Sequence, residues 1–162
     1  SGGRREQTQE RIPIIMPREL FTLEWALAWR DQIRANAAYQ AAARTWSWPL
    51  VLIMRADPGL GLPDDRSVYL DLFQGDCREA RIATSTDLEQ VPYLLSADAR
   101  TWRQVLERRL EPLPGLMRGK LKLGRGSLAA LLPYVMAAKE LVESATRIDT
   151  SYPGQLARAS WD

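Results

Sequence analysis

Residues 67–85 read SVYLDLFQGDCREARIATS, and this stretch decides the fold. Val68, Leu70 and Leu72 alternate with Tyr69, Asp71 and Phe73, the period of a half-buried strand. Gln74-Gly75-Asp76-Cys77 is a hairpin turn by composition. The return from Arg78 to Ser85 carries Ala80 and Ile82 on one face and Arg81 on the other. A three-residue loop gathers Val68, Leu70, Leu72, Ala80 and Ile82 on one face, whereas a two-residue loop sets Leu70 against Arg81. A one-residue slip exchanges the faces of a strand, so the longer loop is expected.

Such a hairpin needs partners on its apolar face, and the flanking sequence supplies them. Upstream, Leu50-Val51-Leu52-Ile53-Met54 is apolar on both faces, as in a central strand covered on both sides. Before it, Thr22 offers an N-cap and Glu24 a first-turn acid to a helix with Leu23, Ala26, Leu27, Ile33 and Ala37 at helical spacing. Trp25 and Trp29 form a second stripe on it. Asn36 either caps a second short helix through Arg44 or lies within one bent helix.

Downstream, Val91 to Ser96 reads as a fourth strand, and Asp98 caps a helix through Arg109 with Trp102, Val105, Leu106 and Leu110 inward. Pro112, Pro114 and Gly115 break it, and a turn runs through Met117. Gly119 to Gly124 alternates Lys with Leu, as in a half-exposed edge strand. Ser127 caps the last helical region, in which Pro133 divides a short turn from a helix to about Ile148. Strands in the middle and helices at both ends predict an α+β domain with a five-stranded, mostly antiparallel sheet over 21–148. Residues 1–20 are expected to be a flexible arm and 149–162 a loose tail.

Composition narrows the chemistry. The 162 residues include no His and one Cys, and 46% are hydrophobic. Without imidazole there is no Ser-His-Asp or Cys-His catalysis and no His metal ligand. A zinc site would need four carboxylates. Twenty-two basic residues against 20 acidic leave +2, too weak a field to suggest nucleic acid. The longest apolar run, Leu128 to Ala138, holds Pro133 and falls short of the roughly 20 residues that span a bilayer. Ser1 to Arg5 has no apolar stretch behind its charges, so no signal peptide is expected and a cytoplasmic setting is the default.

Individual candidates read mostly as structural. Gly124-Arg125-Gly126-Ser127 is a capped strand-to-helix turn rather than an anion site. Asp71, the acid inside an apolar strand, is expected to pair with Arg55 or Arg81. Asp64-Asp65 reads as a solvated turn and Cys77 as an inert thiol. Arg118, Lys120, Lys122 and Arg125 form an acid-free basic stretch, read as a solvated edge or a contact for an acidic head group or membrane surface. Six Trp is a high number, and aromatics on multi-faced helices either fill a core or wall an apolar cavity.

The order of motifs is also informative. It runs from Glu24-Trp25 through Ile33-x-x-Asn36-x-x-Tyr39 to Trp46-Ser47-Trp48 before the first strand. Tyr69-Leu70-Asp71-Leu72 with Gly75 follows, then Ser96-Ala97-Asp98 leading to Trp102, and finally Gly119-Lys120-Leu121-Lys122 before the last helix. From about Phe21 to Ile148 this resembles the sterol carrier protein type two family of lipid-binding domains. The resemblance implies helices packed on one face of the sheet and an apolar tunnel between them. It also implies binding of a fatty acid, acyl-CoA, sterol or other lipid without transforming it, with no cofactor, metal or catalytic residue. The ending Ser160-Trp161-Asp162 lacks the Ser-Lys-Leu peroxisomal signal that some relatives carry.

The family's lining positions vary, so candidates come from the apolar residues of this chain. In the body they are Trp25, Trp29, Leu52, Met54, Leu70, Leu72 and Trp102. Nearer the end they are Leu116, Met117, Leu128, Leu132 and Met136. Arg118, Lys120 and Arg125 are candidates for a head group. The Pro133-broken final helix is expected to act as a lid with Leu128, Leu131, Leu132, Val135 and Met136 inward. The rival reading is an interaction or dimerisation module with a filled core. Expected partners are an apolar small molecule or lipid, a transient membrane contact and a second copy, with no nucleic acid.

Overall fold

The structure, a computed structural model, describes residues 16–156. In chain order its elements are β1 (Arg18–Glu19), α1 (Leu23–Arg34), α2 (Ala37–Ala42), β2 (Leu50–Met54), β3 (Arg66–Phe73) and β4 (Asp76–Ile82). There follow α3 (Ser85–Gln90), β5 (Tyr93–Ala97), α4 (Ala99–Leu106), α5 (Pro112–Met117), β6 (Lys122–Arg125), α6 (Leu128–Leu131), α7 (Val135–Thr146) and β7 (Thr150–Ser151). A 3-10 turn, Leu132–Tyr134, joins α6 to α7.

β2 lies at the centre of a five-stranded sheet ordered β4-β3-β2-β5-β6. Its pairing with β5 is parallel and the other pairings are antiparallel, so the sheet is mixed but mostly antiparallel. Val51 is fully buried on one face of the strand, and Leu50, Leu52 and Met54 are buried on the other, which is why all of β2 is apolar.

The hairpin reaches the expected facing by an unexpected route. Phe73 pairs with Asp76, so the turn has two residues, Gln74 and Gly75, both at positive φ (51° and 90°) as a type I′ turn demands. The register then shifts by one residue at Asp71/Leu72, and Arg78 is the extra residue of a bulge. Leu70 therefore faces Ala80, and Val68 faces Ile82. The expectation of a three-residue loop is corrected: a shorter turn plus a bulge gives the same faces. Arg78, not Arg55 or Arg81, pairs with Asp71, at 3.0 and 3.2 Å. Arg81 pairs instead with Asp87 and Glu79 and lies over the Tyr69 ring.

Two elements differ from the sequence expectation, and a third settles an alternative it left open. β4 ends at Ile82, and α3 follows where a continued strand to Ser85 is expected. Thr84 and Asp87 form a capping box that starts it. α5 is a helix rather than a turn, because Pro112 and Pro114 fall in its first turn, where no intrahelical N–H is needed. α1 and α2 are separate helices: the Asn36 carboxamide oxygen accepts from the Tyr39 N–H (3.0 Å) and starts the second.

The two ends of the described chain meet. β1 pairs in parallel with β7, and the Trp25 indole donates to Thr150 Oγ1 at 2.9 Å. Leu20 is fully buried, so residues 18–20 and 150–151 of the expected arm and tail belong to the fold. Residues 1–15 and 157–162 of those segments lie outside the described residues. Helices α1, α2 and α7 pack together, and their apolar sides share one core with β2, β3 and β4. Trp25 and Trp29 stack at 5.0 Å within it, and Phe21 bridges Trp25 to Trp102.

Candidate functional site

Small side chains decide where the core is incomplete. α2 offers Ala43 just past its end, and α7 offers Ala137 and Ala138, opposite the large rings of Trp46 and Tyr134. Between them is an apolar cavity of about 70 Å³. Leu50 and Leu72 form its floor on the sheet, Tyr39 its wall from α2, and Leu113 its wall from α5. Leu131, Tyr134 and Leu141 complete it from the C-terminal helical segment. Its lining holds no charged side chain.

The walls are held unequally. Trp46 packs edge-on against Tyr134 at 4.9 Å, and the Tyr134 hydroxyl hydrogen-bonds Thr45 Oγ1 at 2.9 Å. The Trp46 indole donates to the Trp48 carbonyl at 2.7 Å. The second half of α7 is fastened to α1 and α2. The Asn36 carboxamide donates to Ser144 Oγ (3.0 Å) and to the Glu140 carbonyl (3.2 Å), and the Trp29 indole donates to the Leu141 carbonyl (3.0 Å). Ser144 and Ala145 are buried there. The first half is not fastened in this way: Leu132, Val135 and Met136 are 50%, 38% and 58% exposed.

A larger groove between α4, α5 and α7, about 590 Å³, is lined by charged groups that include the Arg108–Glu143 and Lys139–Glu111 pairs. Cys77 is buried, which pushes its thiol up to about 12, so it stays protonated and poorly nucleophilic. Among the described residues no group of three His, Cys, Asp or Glu side chains is placed to hold a metal. No helix of the described residues is long and apolar enough to cross a membrane.

A crystal structure of sterol carrier protein 2 is 44% identical to the chain, covers 80% of it and 99% of its own length, and superposes with a TM-score of 0.74. The chain belongs to the sterol carrier protein 2 family. The solution structure of a conserved hypothetical protein from Thermus thermophilus is 42% identical over 85% of the chain and 94% of its own, with a TM-score of 0.75. Sterol carrier protein 2 from Yarrowia lipolytica in its apo form, at 13% identity and a TM-score of 0.52 over 78% of the chain and 97% of its own, shares the fold. No family model and no curated protein matches the sequence.

On this sterol carrier protein 2 scaffold the expected site residues fall into groups. Of the body candidates Leu72 lines the cavity, while Trp25, Trp29, Leu52, Met54, Leu70 and Trp102 are packed in the core. Leu116 and Leu128 are half-buried, and Met117 is 69% exposed. The inward lid face is corrected: α7 turns Ala137, Ala138 and Leu141 to the cavity, and Leu132, Val135 and Met136 point to solvent. The 3-10 turn at Pro133 changes the phase of the helix and carries the face round.

Arg118 and Lys120 are exposed, with no ion pair among the described residues. The Arg125 guanidinium donates to the Leu88 carbonyl (2.7 Å) and the Val91 carbonyl at the end of α3, which ties it to that helix. The sequence reading missed Tyr39, Trp46, Leu50, Leu113, Tyr134 and Leu141 as lining. The available signal was the set of alanines opposite aromatic residues.

Proposed function

We propose that the chain holds a lipid or similar long apolar molecule beneath α7 and releases it unchanged. One observation carries the reading: an uncharged cavity between sheet and helix, closed by the half of α7 that is least fastened. The name of the similar protein, sterol carrier protein 2, supports a lipid as the cargo.

Magnitudes set the mechanism. A cavity of about 70 Å³ is smaller than the roughly 150 Å³ that admits benzene. A long chain therefore enters by displacing α6, the 3-10 turn and the start of α7, where Leu128, Leu131, Leu132 and Met136 would meet it. Burying about fifteen methylenes contributes about 12 kcal/mol, which association and helix displacement offset to about 8 kcal/mol, a micromolar affinity. An ionised head group stays outside, where Arg118 and Lys120 can face it or the surface of an anionic membrane.

The reading is tested on delipidated protein by displacement of a fluorescent fatty acid and by native mass spectrometry. Displacement by long-chain compounds and a bound-lipid mass increment are expected. Absence of both, with every long-chain compound tried, would overturn it.

A further inference from the structure

The start of the last helical segment roofs the cavity, and little ties it down. Leu131 and Tyr134 line the cavity from residues 128–136, a stretch with no Asp, Glu, Lys or Arg. Pro133 brings no N–H, and neither the 3-10 turn nor the start of α7 has a side-chain cap. Among the described residues one hydrogen bond joins this stretch to a distant part of the chain. It runs between the Tyr134 hydroxyl and Thr45 Oγ1, 2.9 Å apart. The Thr45 side of that bond is firm. Next to it Trp46 is 5% exposed, its N–H donates to the Ala43 carbonyl (2.9 Å), and its carbonyl accepts from the Gln74 N–H (2.6 Å). The bond itself lies at the surface, so both hydroxyls can pair with water when it breaks. Such a bond opens at small cost, whereas a buried one would leave groups without partners.

We infer that the Thr45–Tyr134 hydrogen bond is the latch of the cavity and sets the rate at which a ligand enters. The inference rests on the carrier reading above and adds to it the contact that governs entry. While the bond is made, the Tyr134 ring lies edge-on against Trp46, and the two rings close the wall between them. When it breaks, the remaining hold on residues 128–136 is apolar packing, and Leu132, Val135 and Met136 already face solvent. A ligand that must wait for a wall to open associates more slowly than one that meets an open site. Removing the latch raises the open fraction, and association speeds up in proportion.

The test uses the full chain, delipidated, with Thr45→Val, Tyr134→Phe and the double variant. Thr45 is exposed and does not line the cavity, so Thr45→Val removes the bond and leaves the lining as it is. Each single variant is expected to speed amide exchange over residues 128–136 by about fivefold, with residues 140–146 unchanged. The double variant should be no faster than either single one, because both remove the same bond. Thr45→Ser keeps a hydroxyl and should exchange as the native protein does. In stopped-flow mixing with a fluorescent fatty acid, association should quicken by about the same factor in Thr45→Val. Unchanged exchange in the single variants, additive effects in the double one, failure of Thr45→Ser to restore the native rate, or an unchanged association rate would each overturn the latch. The exchange measurement needs no ligand, so it judges the contact by itself. A fatty acid that binds neither native nor variant protein would count against the carrier reading instead.

Discussion

Asn36 shows how much one side chain can hold. Its oxygen caps α2, while its nitrogen reaches Ser144 and Glu140 on α7, so one carboxamide joins two helices. It is 3% exposed, and removing it leaves the buried Tyr39 N–H without its acceptor and takes away the link to Ser144, whose hydroxyl still donates to the Glu140 carbonyl. Asn36→Ala is expected to destabilise the fold by about 2–4 kcal/mol in urea unfolding. Asp87 holds a different junction. Its carboxylate accepts from Arg81 and from the Thr84 N–H, which lowers its pKa to about 2. A carboxylate lowered in the folded state stabilises above its unfolded value near 4 and loses that contribution as pH falls through 2. Stability followed from pH 5 to pH 2 should fall more steeply in the native protein than in Asp87→Asn, and parallel curves would contradict the assignment. Gly75 is fixed twice over, by φ of 90° and by a Cβ position 2.6 Å from the Gln40 carbonyl oxygen. Gly75→Ala is expected to cost about 2 kcal/mol or more by the same urea measurement.

At the scale of elements, α7 is fastened to α1 and α2 along its second half and more exposed along its first. Amides of residues 128–136 are expected to exchange with deuterated solvent faster than those of 140–146, with the contrast reduced by bound lipid. Ala137→Leu puts a branched side chain into the cavity. It should lower affinity for long-chain ligands at least tenfold while the thermal midpoint holds or rises, because it fills space rather than opening it. The elements also show what a sequence can reveal. The hairpin faces, the buried centre of β2 and the caps Thr22, Asn36, Asp98 and Ser127 were all legible, because each depends on a local period or a local hydrogen bond. α3 was legible in principle from Thr84-x-x-Asp87, but the strand expected to Ser85 overran its cap, and 86–90 were assigned to no element. The bulge at Arg78 was not legible, since a one-residue insertion changes no composition.

At the scale of the molecule the limits are of another kind. A cavity is what side chains from four separate stretches of the chain fail to fill, and no stretch carries that information alone. Trp25, Trp29 and Trp102 pointed to an apolar interior, but they pack against Phe21 and one another and leave no space. The space appears at Ala43, Ala137 and Ala138, residues that attract no notice in a sequence. The exposure of Leu132 and Met136 was equally hidden, because it follows from a change of helical phase at a proline.

The pairing of β1 with β7 has a mechanical consequence. The Arg18 N–H donates to the Asp149 carbonyl and the Leu20 N–H to the Ser151 carbonyl, at 2.8 and 2.9 Å. These strands run in parallel, one entering the domain and the other leaving it. Tension applied through the two ends of the chain pulls them along their length in opposite senses. Both bonds then bear the load together instead of parting one after the other. The contact acts as a shear clasp, and Trp25, holding Thr150 from the core side, is its rivet.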